Sequence, residues 1–231
     1  MPEHLASPGD SVVRVIRTGK AAGACSGALI GPRHVLTAQH CVVQTSGRQR
    51  ELSTTELVAG QLHVELGGDY LPWGRVGVHE VHRCEGYVHD LDHDVAVLVL
   101  SKPVPSVVKI FALSYDAPKE AGVYELSGFG TEAELRQIPL TGWYVSSVTR
   151  HLHRGPVVQT SDRSIVVNVI GAPGDSGGPI VDAETGRIAA VVSRGRSAKN
   201  AKDQGDPDER PLVAGPRLAT CKRTILAALA R

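Results

Sequence analysis

The sequence predicts an all-β chain closed by one short C-terminal helix, and three observations carry that reading. Short runs rich in valine, isoleucine and leucine recur along the 231 residues and are bounded by turn residues, the pattern of many short strands. Glycine (25 residues) and proline (14) punctuate those runs, which favours hairpins over long helices. Residues 220–230, rich in alanine and leucine, have helix-forming composition instead. A chain of this length holds one large domain or two small ones. Lys102-Pro103-Val104-Pro105 reads as a linker, because two prolines in four positions disfavour helix and central strand alike.

In chain order, strands are expected at 12–17, 26–30, 34–38, 57–66, 75–81 and 95–100 before the linker. After it, from near Ala121, they are expected at 124–128, 142–149, 164–170, 179–181 and 187–193. Residues 196–211 are charged and poor in apolar side chains, so they read as an exposed, mobile loop suited to a regulatory protein partner. A formal net charge of +1 gives no case for nucleic acid or bilayer binding, and the longest apolar runs, 95–100 and 225–230, are too short to cross a membrane.

The most informative stretch is Gly174-Asp175-Ser176-Gly177-Gly178-Pro179. A serine hydroxyl is a weak nucleophile at neutral pH and needs a general base beside it. It also needs donors for the oxyanion formed on attack, and neither Gly174 nor Ser176 is proline, so both keep the N–H such a hole requires. The same residues fit the G-x-S-x-G elbow of α/β-hydrolases, in which the histidine follows the serine. All ten histidines precede Ser176 here, which excludes the elbow and leaves the order His, Asp, Ser.

Val35-Leu36-Thr37-Ala38-Gln39-His40-Cys41 places a histidine at the end of an apolar strand, beside a cysteine. Cys25 lies in the preceding apolar segment, and two strands joined by a turn at Gly31-Pro32 bring Cys25 and Cys41 within reach of a disulfide. With these blocks the chain resembles the chymotrypsin/trypsin family of serine endopeptidases, Gln39 standing where the family has a small residue. The resemblance makes His40 the base, and His34 is read as a loop residue. For the acid, His89-Asp90-Leu91-Asp92-His93-Asp94 offers three carboxylates. Asp94 directly precedes the buried strand expected at 95–100, where the family places its acid; Asp90 and Asp92 read as solvated.

The resemblance implies two antiparallel six-stranded β-barrels, residues 1–110 carrying His40 and Asp94 and residues 111–231 carrying Ser176 and the closing helix. It implies acyl transfer on a protein or peptide substrate, with Gly174 and Ser176 as oxyanion donors and no cofactor or metal. Ser193 matches a family strand serine and is a candidate partner for Asp94. Trypsin-type members carry an aspartate six residues before the nucleophile; Ile170 stands there, followed by Gly171. With Ser193, Arg194 and Gly195 as the other substrate-binding candidates, an uncharged, apolar residue is expected before the scissile bond, Arg194 pointing to solvent.

Family members made as zymogens bury a newly cut N-terminus against the acid before the nucleophile, here Asp175. No matching cleavage motif precedes Cys25, so Asp175 is expected to pair with an internal basic residue, since an unpaired buried carboxylate is costly. The first thirty residues contain no signal-peptide core, which reads as cytoplasmic, or as secreted if a leader was removed. Cys84 and Cys221 are either a second bridge or two free thiols. Two other functions compete: a non-catalytic homologue acting as a binding module, and a metal site at His79, His82 and Cys84, with His89 or His93 as a further ligand. The latter is disfavoured because residues three apart on a strand face opposite ways.

Overall fold

The computed structural model describes residues 3–18, 23–46, 53–57, 59–68, 72–87, 91–130, 136–137, 144–145, 149–196 and 211–231. Strands dominate: β1 (Val12–Arg17), β2 (Gly23–Gly31), β3 (His34–Thr37), β4 (Val43–Ser46), β5 (Ser53–Glu56), β6 (Leu62–Leu66), β7 (Gly74–Arg83) and β8 (Ala96–Leu100) lie in the first half. The second half holds β9 (Val123–Gly128), β10 (Arg136–Gln137), β11 (Tyr144–Val145), β12 (His151–Thr160), β13 (Ser164–Val167), β14 (Pro179–Asp182), β15 (Ile188–Val191), β16 (Arg194–Arg196) and β17 (Leu212–Pro216). The helix α1 (Lys222–Leu229) follows a 3-10 turn at Leu218–Cys221. No helix among the described residues is long and apolar enough to cross a membrane.

The first six-stranded sheet closes as a barrel in the order β1-β2-β3-β8-β7-β6. The second curls through seven strands, β15-β14-β9-β12-β13-β17-β16, and its far side is drawn in by an isolated bridge between Ala190 and Arg217. This is the two-lobed all-β architecture expected, with an extra short strand, β16, added beside β17.

β8 shows why the halves stay together. All five of its residues are buried, because successive side chains point to opposite faces. Ala96, Leu98 and Leu100 fill the barrel with Leu29 and Val35. Val97 faces outward with Val95, Ala28 and Leu36, where it meets Val181, Ile188 and Val191 of the second sheet. Ile225 and Ala228, three apart on α1, join that same interface, which the Cys84–Cys221 disulfide staples to the end of β7.

Some expectations change in position. The strand expected across 57–66 is broken by a 3-10 turn at Ala59–Gln61, so β6 begins at Leu62. His34 opens β3 and is buried, not a loop residue. Most of the strand expected at 142–149 falls outside the described residues, as does nearly all of the loop expected at 196–211. The long strand of that region is β12, beginning at His151.

Candidate active site

β3 and β8 pair in antiparallel register, with Thr37 opposite Ala96. His40 lies three residues beyond Thr37 in a 3-10 turn (Gln39–Val42), and Asp94 two residues before Ala96, so pairing alone delivers both to one end of the barrel. The His40 Nδ1 is 2.7 Å from Asp94 Oδ2, and the His40 backbone N–H donates to Asp94 Oδ1 at 2.8 Å. From the second sheet Ser193 Oγ donates to Asp94 Oδ2 at 2.5 Å. Asp94 is 1% exposed while the His40 side chain is 32% exposed, so the acid is sealed and the ring is partly open to solvent.

Ser176 is brought to this end by backbone bonds between the halves. The Ser26 N–H donates to the Ser176 carbonyl at 2.8 Å, and Cys41 Sγ lies 3.6 Å from the same oxygen. Cys41 is bonded to Cys25, and the nearest His40 ring nitrogen lies within 4.8 Å of both sulfurs. The disulfide therefore packs close to both the histidine and the serine loop.

The loop itself needs glycine in two places. Gly174 has φ +107° and Gly177 φ +83°, a region costly for residues with a Cβ. A Cβ on Gly177 would also stand 2.8 Å from the Ala38 nitrogen, so only glycine lets the turn lie against β3. Ser26 pins the other side: it accepts from the Phe129 N–H at 2.9 Å and donates to the Gly174 carbonyl at 2.8 Å. The N–H groups of Asp175, Gly177 and Gly178 donate to Ala172, Val192 and Asp175 carbonyls. Among the described hydrogen bonds, those of Gly174 and Ser176 have no protein acceptor.

Asp175, 1% exposed, turns away from the serine into a closed niche. Gly130 N–H donates to its Oδ1 and Ala172 N–H to its Oδ2, each at 2.8 Å. His151 Nε2, from the start of β12, lies 2.8 Å from Oδ1.

Beside Ser176 opens a cavity of about 370 Å³, within the range of ligand pockets. It is lined by the Gly171–Pro173 segment, by Asp175 and Ser176, and by Val192, Arg194, Gly195 and Val213. Val213 forms one wall, its Cγ2 lying 2.6 Å from where a Cβ on Gly171 would be.

Comparison with known proteins agrees with this arrangement. The family model described as Trypsin matches residues 4–207. The chain belongs to the trypsin family. Trypsin alpha-4 of Lucilia cuprina is 26% identical over 182 residues, covering 74% of this chain and 67% of that protein. Glutamyl endopeptidase of Bacillus licheniformis is 24% identical over 177 residues, covering 75% of this chain but 50% of that protein. A Glu endopeptidase solved in complex with MPD superposes with a TM-score of 0.72 at 20% identity, covering 100% of this chain and 95% of the other. Neuropsin, a serine protease expressed in the limbic system of mouse brain, gives 0.66 at 20% identity, covering 99% and 96%. At such identity the two structures speak for the chymotrypsin-like fold.

Within this trypsin-family fold, the residues singled out from sequence fall unevenly around the pocket. Gly171, Arg194 and Gly195 line it. Ile170 does not: its side chain is 47% exposed outside the cavity, because counting back from Ser176 ignores the turns of the intervening loop. Ser193 also lies outside it, facing Asp94. Asp92 pairs with Arg163 at 3.3 Å, while His89 and Asp90 lie outside the described residues. Cys84 is bonded to Cys221, so the alternative metal set at His79 and His82 has no thiolate. Sequence reasoning missed His151 and Val213; neither sits in a motif, and each reaches the site only through strand pairing.

Proposed function

We propose that this chain is a serine endopeptidase that cleaves through an acyl-enzyme, with His40, Asp94 and Ser176 as its triad. On this reading residues 1–110 supply the acid–base pair and residues 111–231 the nucleophile, so the reaction occurs at their junction. The observation that carries it is the His40 imidazole docked on the sealed Asp94 carboxylate, with the adjacent Cys41 sulfur against the Ser176 carbonyl.

Asp94 holds the proton on Nδ1 and leaves Nε2 basic. His40 then takes the Ser176 hydroxyl proton as Oγ bonds to the scissile carbonyl carbon. The carbonyl electron pair moves to oxygen, and the Gly174 and Ser176 N–H groups, which have no acceptor among the described hydrogen bonds, stabilise the oxyanion by about 3–4 kcal/mol per donor. As the tetrahedral centre collapses, the C–N bond breaks and the amine leaves with the proton from His40. Water, deprotonated by His40, opens the ester, and Ser176 recovers its hydrogen.

The pocket favours an uncharged, apolar residue before the scissile bond. Val192, Val213, Ala172 and Pro173 give it apolar walls, and the Asp175 carboxylate is already paired away from it. Arg194 is exposed at its edge and is read as facing solvent. The relative named a glutamyl endopeptidase makes acidic side chains the natural competitor. Peptides varied at that one position distinguish the two: apolar residues are expected to give the highest kcat/KM, and faster cleavage after Glu, Arg or Lys contradicts the assignment. Turnover that survives Ser176→Ala would contradict the triad itself.

A further inference from the structure

We infer that His151, as the imidazolium, is the positioning residue of the oxyanion loop, an inference that rests on the serine endopeptidase reading. Asp175 lies between the two proposed oxyanion donors in sequence, so its carboxylate fixes the peptide groups on either side of it. A buried carboxylate needs a countercharge or it distorts its surroundings to reach water. Here both oxygens are held. Gly130 and Ala172 supply neutral N–H donors, and His151 is the cation at ion-pair distance. A Cβ on Gly130 would lie 2.6 Å from the carboxylate, so the niche fits this carboxylate with no room to spare.

The strand pairing holds the ring in place independently of the ion pair. His151 sits opposite Gly128 in the β9–β12 register, and Ser127 Oγ donates to the His151 carbonyl at 2.9 Å. Among the described residues, three further charged or titratable groups lie near it. His153, on the same strand, places its ring centroid 4.9 Å away at 47°. Arg150, the preceding residue, directs its guanidinium to the Gly9 carbonyl and to Asp10, 3.8 Å off. Beyond β9, Arg14 lies over the Phe129 ring at 4.0 Å. None of these contacts supplies Asp175 with a second cation.

The consequence is a pH dependence with two histidines of opposite sense. His40 must be neutral to act as base. His151 must be protonated to hold Asp175, which sets an alkaline limb. Above it, the loop retains its hydrogen bonds but loses its countercharge, and the oxyanion donors drift from position.

The test measures kcat, KM and the rate of fluorophosphonate labelling across about pH 5 to pH 10, the span in which histidine and lysine separate. Wild type, His151→Gln and His151→Lys are compared, with thermal unfolding to verify folding. His151→Gln is expected to lower kcat and labelling by about 10- to 100-fold, less than outright loss of an oxyanion donor, with KM little changed. His151→Lys is expected to restore the rate and to move the alkaline limb upward. Nitrogen-15 NMR of wild type adds a measurement that needs no folded variant: the His151 titration and the alkaline limb should share one midpoint. A reactive wild type whose His151→Gln form labels equally fast overturns this inference alone, as does a mismatch of midpoints. An unreactive wild type overturns the endopeptidase reading and this inference with it.

Discussion

Ser193, on the strand edge of the second sheet, donates its hydroxyl to Asp94 of the first barrel at 2.5 Å, across 99 residues of chain. Asp94 thereby receives three donors: this hydroxyl, the His40 backbone N–H and the His40 ring. This bond ties the two halves together at the carboxylate proposed to orient the base. Ser193→Ala is therefore expected to lower both stability and rate. Loss of a hydrogen bond to a charged acceptor is worth about 1.5–3 kcal/mol, which urea unfolding would read. A variant with unchanged stability and kcat would contradict a role for this contact.

Val213 controls the size of the pocket. Its Cγ2 packs directly against Gly171 in the cavity wall, so shortening the side chain opens the wall. Val213→Ala is expected to raise kcat/KM for bulky apolar residues relative to small ones by about tenfold, the scale of one or two methylenes in a hydrophobic pocket. Paired peptide substrates carrying Ala or Phe before the scissile bond would measure that ratio.

The second disulfide closes a loop of 137 residues and ties the start of α1 to the end of β7. Replacing Cys84 and Cys221 together by alanine is expected to cost about 2–5 kcal/mol in unfolding free energy. Activity below the new melting transition should remain near wild type, because both cysteines lie in the apolar cluster between the halves and not among the residues lining the cavity. Calorimetry and peptide turnover on the same sample separate the two effects.

His34 gives a pH dependence to stability rather than to chemistry. Burial holds its pKa below the ordinary 6.5, reinforced by Arg33 and His82 and opposed by a hydrogen bond with the Ala228 backbone. The unfolded chain thus takes up a proton before the folded one does. The sign follows: stability is full above about pH 6.5 and falls as the pH drops from there through the lower folded-state value. His34→Gln should flatten that acid limb in urea titrations, and an unchanged slope would contradict it.

How much of this was legible in the sequence depends on whether a residue sits in a local pattern. β8 reads as a strand from its run of branched residues, and Asp94 is found because it stands at that strand's mouth. His40 and Ser176 are each flanked by residues whose local geometry matters: the strand and cysteine for one, the positive-φ glycines for the other. β12 carries no such signal. Leu152, an apolar residue in its first turn of pleat, is 61% exposed, and Gly155 and Pro156 interrupt it, so neither alternation nor composition marks a strand. His151 was consequently invisible as the partner of Asp175. Ile170 failed for the converse reason: position along a loop does not define which way a side chain faces.

The central claim is that Ser176 is a nucleophile activated by His40. Its most direct test is fluorophosphonate labelling of the purified chain, with the modified residue located by mass spectrometry, alongside Ser176→Ala and His40→Ala. One phosphonyl adduct on Ser176, absent from both variants, is the predicted result. A folded wild type that remains unlabelled, or labels as fast without His40, would contradict the account.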